Sequence, residues 1–456
     1  MLSGMLGWTL PISIWGASLL KPFAPLLIPA LLGFVQAAGA APPSSDSPSE
    51  KPGQGESSAE DDALKGRLDA QEERLGALEK EIEVLRSEAP FKPGEGGTEE
   101  EGASFQVGGA LRFNYDVTDF RDQARERGGD AGLELFRLNV DGSEGGFLFS
   151  AEYRWYPYQD VLHHGWAGYD FGAAGQLQVG VTQVPFGLLP YAAHNYWFGV
   201  PYYVGLADDY DLGAKYLWKP GAWDVQLALF KNPEVSNAAS TERYGFDVVE
   251  SGCDPSAGNT ANCNRETNQA NLRAAYTLGK DGFCPAEVGA SGQWGQLHNS
   301  ATGDFGSRWA VAAHLDLRCG RWNAQLEAGR QVLDPAGPAG ADEATVTFGA
   351  LATPYEVASE ANFAVANLAY NFPVPWPSID LITCYNDFSV YAKNDPGFRD
   401  TTINTSGCAV GAGPLFVYAD VINAENAPYF SRSEDHLGQG GSGWDTRFNL
   451  NLGYYF

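Results

Sequence analysis

From residue 104 to its last residue the chain places apolar and polar side chains on alternate positions. In "SFQVGGALRFNYDV", Phe105, Val107, Leu111, Phe113, Tyr115 and Val117 share one parity, and Gln106, Arg112, Asn114 and Asp116 share the other. "WDVQLALF", "NLRAAYTL", "RWAVAAHLDLRC" and "RWNAQLEAG" repeat the scheme, and "RFNLNLGYYF" carries it to Phe456. A period of two marks strands with one apolar face. Two further traits separate a membrane barrel from a soluble sandwich. Trp, Tyr and Phe gather near strand ends. Tight turns ("GSEGG", "AAG", "KPGA", "GKDG", "RCG", "PVPWP", "GAGP") also alternate with long loops at 184–210, 231–267, 333–361 and 425–443.

This pattern predicts an all-β fold, a transmembrane antiparallel β-barrel of about 16 strands over residues 104–456. The strands are expected to begin near 104, 132, 146, 165, 176, 211, 222, 268, 283, 307, 321, 362, 378, 401, 414 and 444. An even count returns both barrel ends to one side, and a barrel of this size leaves an aqueous channel. A last strand that must pair with the first cannot fray, which accounts for alternation up to Phe456.

The segments before the barrel read differently. Residues 1–40 hold one basic side chain, Lys21, then "PFAPLLIPALLGFVQAAGA", which reads as a signal peptide. Residues 41–63 form an acidic spacer. Over 64–88, Leu64, Leu68, Gln71, Leu75, Leu78, Ile82 and Leu85 recur at steps of three and four, the seam of a short coiled coil that favours self-association. Residues 89–103 are a Gly/Glu-rich linker. Beyond residue 41 no window approaches the ~20 apolar residues of a membrane helix.

The net charge of −28 argues against nucleic acid as a partner. Six cysteines in an exported chain suggest disulfides. Cys284 with Cys319, and Cys384 with Cys408, lie symmetrically about loops. Cys253 and Cys263 would close a hairpin within the 231–267 loop. None has the C-x-x-C spacing of a zinc or redox site.

Taking the apolar face as outward puts Arg112, Arg137, Arg154, Lys215, Arg273, His314, Asp316 and Arg447 inside, since a mid-depth charge facing lipid costs ~2–4 kcal/mol. Arg447, Arg112, Arg137 and Arg154 fall on neighbouring strands and are expected to form a basic band at one height. The stretch "VPFGLLPYAAHNYWFGVPYYVGLADDYDLG" is too apolar for an exposed loop and should fold inward, closed by Asp208, Asp209 and Asp211. Opposed acidic and basic walls would order dipolar solutes. "DDYD" lacks the Asp-x-Asp-x-Asp-Gly spacing of a calcium loop, so no metal or cofactor is expected. The six His are scattered without G-x-S-x-G or H-E-x-x-H, so no enzyme is expected either. The alternative to a channel is a structural tether or adhesin barrel joined to the coiled coil.

"GVTQVPFGLLP", "GLADDYDLGAKY", "GPLFVYADVINAEN" and "TRFNLNLGYYF" resemble the phosphate-selective porin O and P family of bacterial outer-membrane proteins, over about residues 104–456. The resemblance implies a trimeric porin in outer-membrane lipid and lipopolysaccharide, with a constriction loop in the pore and a periplasmic coiled coil. It implies passage of small hydrophilic solutes or anions such as phosphate. Arg112, Arg137, Arg154 and Arg447 could supply part of the family's arginine ladder. Its lysine cluster is missing here, since the constriction loop carries no Lys.

Overall fold

The computed structural model describes residues 103–432, 436–441 and 443–456. The expected signal peptide, spacer and coiled coil, and the linker up to residue 102, lie outside the described residues.

The first half of the barrel comprises β1 (Ser104–Thr118), β2 (Asp130–Glu144), β3 (Phe147–Trp155), β4 (Asp160–Asp170), β5 (Gln176–Gln183), β6 (Tyr210–Trp218) and β7 (Trp223–Pro233). A two-residue strand, β8 (Asp247–Val248), lies outside the barrel. The wall resumes with β9 (Asn264–Leu278), β10 (Ala286–Asn299), β11 (Phe305–Cys319) and β12 (Trp322–Asp334). β13 (Thr345–Ala350) and β14 (Thr353–Ala358) leave it again. β15 (Glu360–Asn371), β16 (Leu381–Lys393), β17 (Thr401–Ala412), β18 (Leu415–Glu425) and β19 (Asp445–Tyr455) complete it. Every pairing in the ring is antiparallel, and β1 closes on β19.

The starts follow the alternation closely. β4 departs most, beginning at Asp160 where 165 was expected. A register shift at Glu152/Tyr153 breaks the period of two there, so "YPYQDVLHH" reads as turn. The turn between β2 and β3 is Gly145-Gly146, both at positive φ (56° and 87°), a conformation glycine adopts without the Cβ penalty.

Side chains sort by face as the pleat requires. Outside, Phe113, Leu227, Leu229, Leu272, Val311, Leu368, Leu450 and Leu452 are exposed. At the turn end Phe147, Tyr169 and Phe171, Trp223 and Tyr276, and Trp322, Tyr370 and Phe372 form contacts with ring centroids 4.6–4.9 Å apart. An apolar belt bordered by aromatics is a surface for lipid, not water. Among the described residues no helix is long and apolar enough to cross a membrane.

All three cysteine pairs are joined. Cys384 and Cys408 are direct cross-strand partners on the outward face of β16 and β17. Cys284–Cys319 ties the β9–β10 turn to the end of β11, and Cys253–Cys263 closes a ten-residue separation within one loop.

The long loops hold a feature the alternation did not announce. β8, β13 and β14 form a separate three-stranded sheet, order β14-β13-β8, at the loop end of the barrel. It buries Phe246, Val248, Val346, Phe348, Tyr355 and Val357 in one apolar cluster with residues of the 184–209 loop. "TVTFGA" is only six residues and its apolar partners come from a distant loop, so periodicity alone does not mark it.

Candidate channel constriction

The segment between β5 and β6, residues 184–209, does fold inward. Its prolines and glycines keep it out of regular structure except for one helical turn, Val200–Tyr203. Its backbone polar groups therefore need partners on the wall. Gly187 N donates to Ser291 Oγ (3.0 Å) and Gly187 O accepts from Arg273 Nε (2.7 Å). Leu188 N donates to Glu327 Oε2 (2.8 Å), and Val204 O accepts from Gln331 Nε2 (2.9 Å). Farther round, Asp387 accepts from His194 N (2.6 Å), Asn195 N (2.9 Å) and Asn195 Nδ2 (2.8 Å), while Val200 N donates to Ser389 Oγ (2.9 Å). The loop is thus pinned to β9, β10, β12 and β16.

The opposite wall carries the arginines. Arg137 on β2 is the direct partner of Arg154 on β3. Glu152 sits between them, 2.5 Å from Arg154 Nε and 3.5 Å from Arg137 Nη1, which offsets the like-charge contact. Loop and wall aromatics cover the guanidinium faces. Arg112 lies 5.3 Å from the Tyr196 ring centroid and 5.2 Å from that of Tyr455, Arg154 lies 4.5 Å from Tyr244, and Arg447 lies 4.4 Å from Trp197. The expected single height is corrected by the register. Arg447 pairs with Thr118, farther toward the loop end of β1 than Arg112, which pairs with Gly453. Arg137 and Arg154 are level, Arg112 lies slightly beyond Ala110, the partner of Arg137, and Arg447 stands apart toward the loop end.

The two walls differ in exposure. Inward residues on β1 and β2 (Arg112, Asn114, Asp116, Arg137 and Asn139) are half-buried. Those on β9–β12 (Arg273, Gln293, Arg308, Glu327 and Gln331) are buried. The loop covers the latter more completely than the former. Lys215 and Arg273 face inward too, but Lys215 Nζ is bound to Gln183 O (3.0 Å) and Arg273 holds the loop. They act as struts.

The acids overturn an expectation. Asp208, Asp209 and Asp211 do not face the channel. All three are buried, with Asp208 accepting from Tyr244 Oη (2.5 Å) and Tyr210 Oη (3.2 Å). The 234–263 loop folds over "ADDYD" and withdraws it from the lumen, so no acidic face opposes the arginines there. Burial pushes the Asp208 carboxyl up despite these hydrogen bonds, and burial together with Asp211 pushes Asp209 well up. Oxygens of Asp209, Asp211 and Asp247 lie within 4.8 Å of one another, making them the group among the described residues able to hold a metal ion.

Asp387 is the residue the sequence reading missed. In "CYNDFSVY" it is a lone carboxylate at an inward mid-strand position. That placement demands a polar partner, and a polar-poor loop expected to fold inward was available to supply one.

A closed sixteen-stranded barrel with a loop folded inward after its fifth strand and a charged inner wall defines a porin-type fold. The chain matches no protein-family model and no curated protein. Among solved structures it is similar to the outer membrane channel DcaP of Acinetobacter baumannii, at 13% identity and a TM-score of 0.51, over 81% of this chain and 100% of that one. It is also similar to Salmonella typhi OmpF in its complex with daunomycin, at 10% identity and a TM-score of 0.52, over 78% and 98%. At these identities the likeness is one of fold.

Proposed function

We propose that this protein is an outer-membrane porin through which small hydrophilic solutes diffuse passively, with a preference for anions. The carrying observation is the asymmetry of the inner wall, in which a pinned loop buries the charged side chains of one side and leaves Arg112 and Arg137 only half-buried on the other. A passive channel needs a polar, wetted path and no moving part. Phosphate is one candidate anion; the absence of lysines from the loop separates this lumen from a phosphate-selective one. The outer-membrane setting, with lipopolysaccharide around the loop end and the 64–88 coiled coil in the periplasm, belongs to the same reading.

A homotrimer is part of the proposal. Halfway along β16 and β17 the outward face carries Asn386, which donates to Ser406 Oγ (2.8 Å) and Asn404 Oδ1 (3.2 Å). An amide cluster at mid-depth is poorly matched to lipid and suits contact with another copy. The test is conductance of the purified full chain in planar bilayers. Openings in groups of three support the reading. No conductance overturns the porin and leaves the structural barrel.

A further inference from the structure

We infer that Asp209, Asp211 and Asp247, with Glu234 beside them, form a binding site for one divalent cation of the calcium class, joining the root of the constriction loop to the 234–263 loop. This goes beyond conduction and does not depend on it.

Four oxygens carry the argument. Asp209 Oδ2, Asp211 Oδ1, Asp247 Oδ1 and Glu234 Oε2 are each buried and reached by no N–H donor. Their sister oxygens are engaged: Asp209 Oδ1 by Tyr210 N (3.0 Å), Asp211 Oδ2 by Gln269 Nε2 (2.9 Å), Asp247 Oδ2 by Arg243 Nη1 (3.0 Å) and Glu234 Oε1 by Tyr244 N and Gly245 N (both 2.9 Å). Each Asp carboxylate is thus oriented by one oxygen, and the second oxygens of Asp209 and Asp211 meet no donor in the chain, while Glu234 and Asp247 lean on each other carboxyl to carboxyl. The three Asp side chains are at most 3% exposed, so bulk water does not serve those oxygens. Buried polar atoms without partners are rare in native proteins and call for an occupant.

Charge agrees. With Glu266 nearby, five carboxylates meet two guanidinium groups, Arg243 on Asp247 and Arg308 on Glu266. Two positive charges from an ion would offset most of the excess. The donors are all carboxylate oxygens, which select hard cations over zinc or copper. A calcium ion with ligands at about 2.3–2.6 Å spans oxygens up to about 5 Å apart, whereas magnesium at about 2.1 Å demands tighter octahedral geometry. The Asp oxygens fall within 4.8 Å. Gly245 packs against the cluster, where a Cβ would meet Asp209 Oδ1 at 2.6 Å and lie 3.5 Å from Glu234 Oε2.

The full chain in detergent, stripped with chelator near neutral pH, is titrated with Tb³⁺ and then Ca²⁺. Tyr210 and Tyr244, whose hydroxyls both reach Asp208, are placed to sensitise Tb³⁺ emission. The expected result is one Tb³⁺ per chain, displaced by Ca²⁺, and a melting temperature raised by Ca²⁺. Asp247→Asn should weaken binding at least about tenfold, and Asp281→Asn, in an exposed turn, should leave it unchanged. Equal binding by Asp247→Asn overturns the site. If that variant does not fold, wild type decides. Stripped protein that takes up no ion and melts identically with and without Ca²⁺ shows that shared protons neutralise the acids instead.

Discussion

His194 Nδ1 lies 2.8 Å from Asp387 Oδ1, joining the middle of the constriction loop to a wall strand 193 residues later in the chain. His194 Nε2 lies 2.7 Å from Asn323 Oδ1 on β12, so one imidazole ties together the loop and two strands.

Asp387→Ala removes the acceptor of two backbone and two side-chain donors. Leaving buried donors unmatched costs about 1–3 kcal/mol. The expected outcome is a lower melting temperature together with larger and noisier single-channel currents, read in planar bilayers. A quiet channel of unchanged conductance would show that the other anchors suffice.

The same contact has a pH dependence. Burial lowers the pKa of His194, but the Asp387 carboxylate beside it, helped by Asn323 and the more distant Asp316, outweighs burial and carries it above 6.5. A folded-state value above the unfolded one means the contact stabilises fully below 6.5 and loses its charge as pH rises through the raised value. Current noise should therefore grow on the alkaline side, and Asp387→Asn should flatten the profile.

Reversing Arg112 and Arg137 together to Glu should lower the ratio of anion to cation permeability on the order of tenfold at low salt, shrinking as salt screens the wall. Reversal potentials under a salt gradient measure it. Lys215→Gln should leave the ratio nearly unchanged, because its ammonium is held by Gln183 O away from the path.

Asn386→Leu with Ser406→Ala separates lipid from protein on the outer face. If another copy covers the patch, oligomers should dissociate at lower detergent concentration on native gels. If lipid covers it, the double variant should be more stable as a monomer.

Replacing Cys384 and Cys408 by Ser opens a disulfide spanning 24 residues, a closure worth about 3 kcal/mol in the unfolded chain. The wall should remain closed, because β16 and β17 stay paired on both sides of that bridge. A melting temperature lowered without loss of conductance is expected.

The barrel was legible because period-two patterning is a local signal, and each strand states its own inner and outer face. The cysteine pairs were legible for a related reason, since antiparallel neighbours are symmetric about their loop. What could not be read was set by contacts between distant segments. Asp208, Asp209 and Asp211 have a loop sequence that suits a pore lining, and only the fold of residues 234–263 over them takes them out of the lumen. Arg447 was expected level with Arg112 because counting from strand ends ignores the stagger that closes a tilted sheet. Asp387 gave a weak signal of its own, a carboxylate where an inward side chain needs a partner, but the partner's identity lay in another segment.

The closure of β1 on β19 bears on how the molecule is made. Thr446 N donates to Asp119 Oδ1 across 327 residues, and Gly109 exchanges backbone hydrogen bonds with Phe456. The first strand's second edge therefore stays bare until the final segment arrives, and no shorter stretch of chain can complete the ring. Contacts of such separation make folding slow and expose an adhesive strand edge in the interim. The polypeptide must be kept apart from its own kind until its last residues are in place.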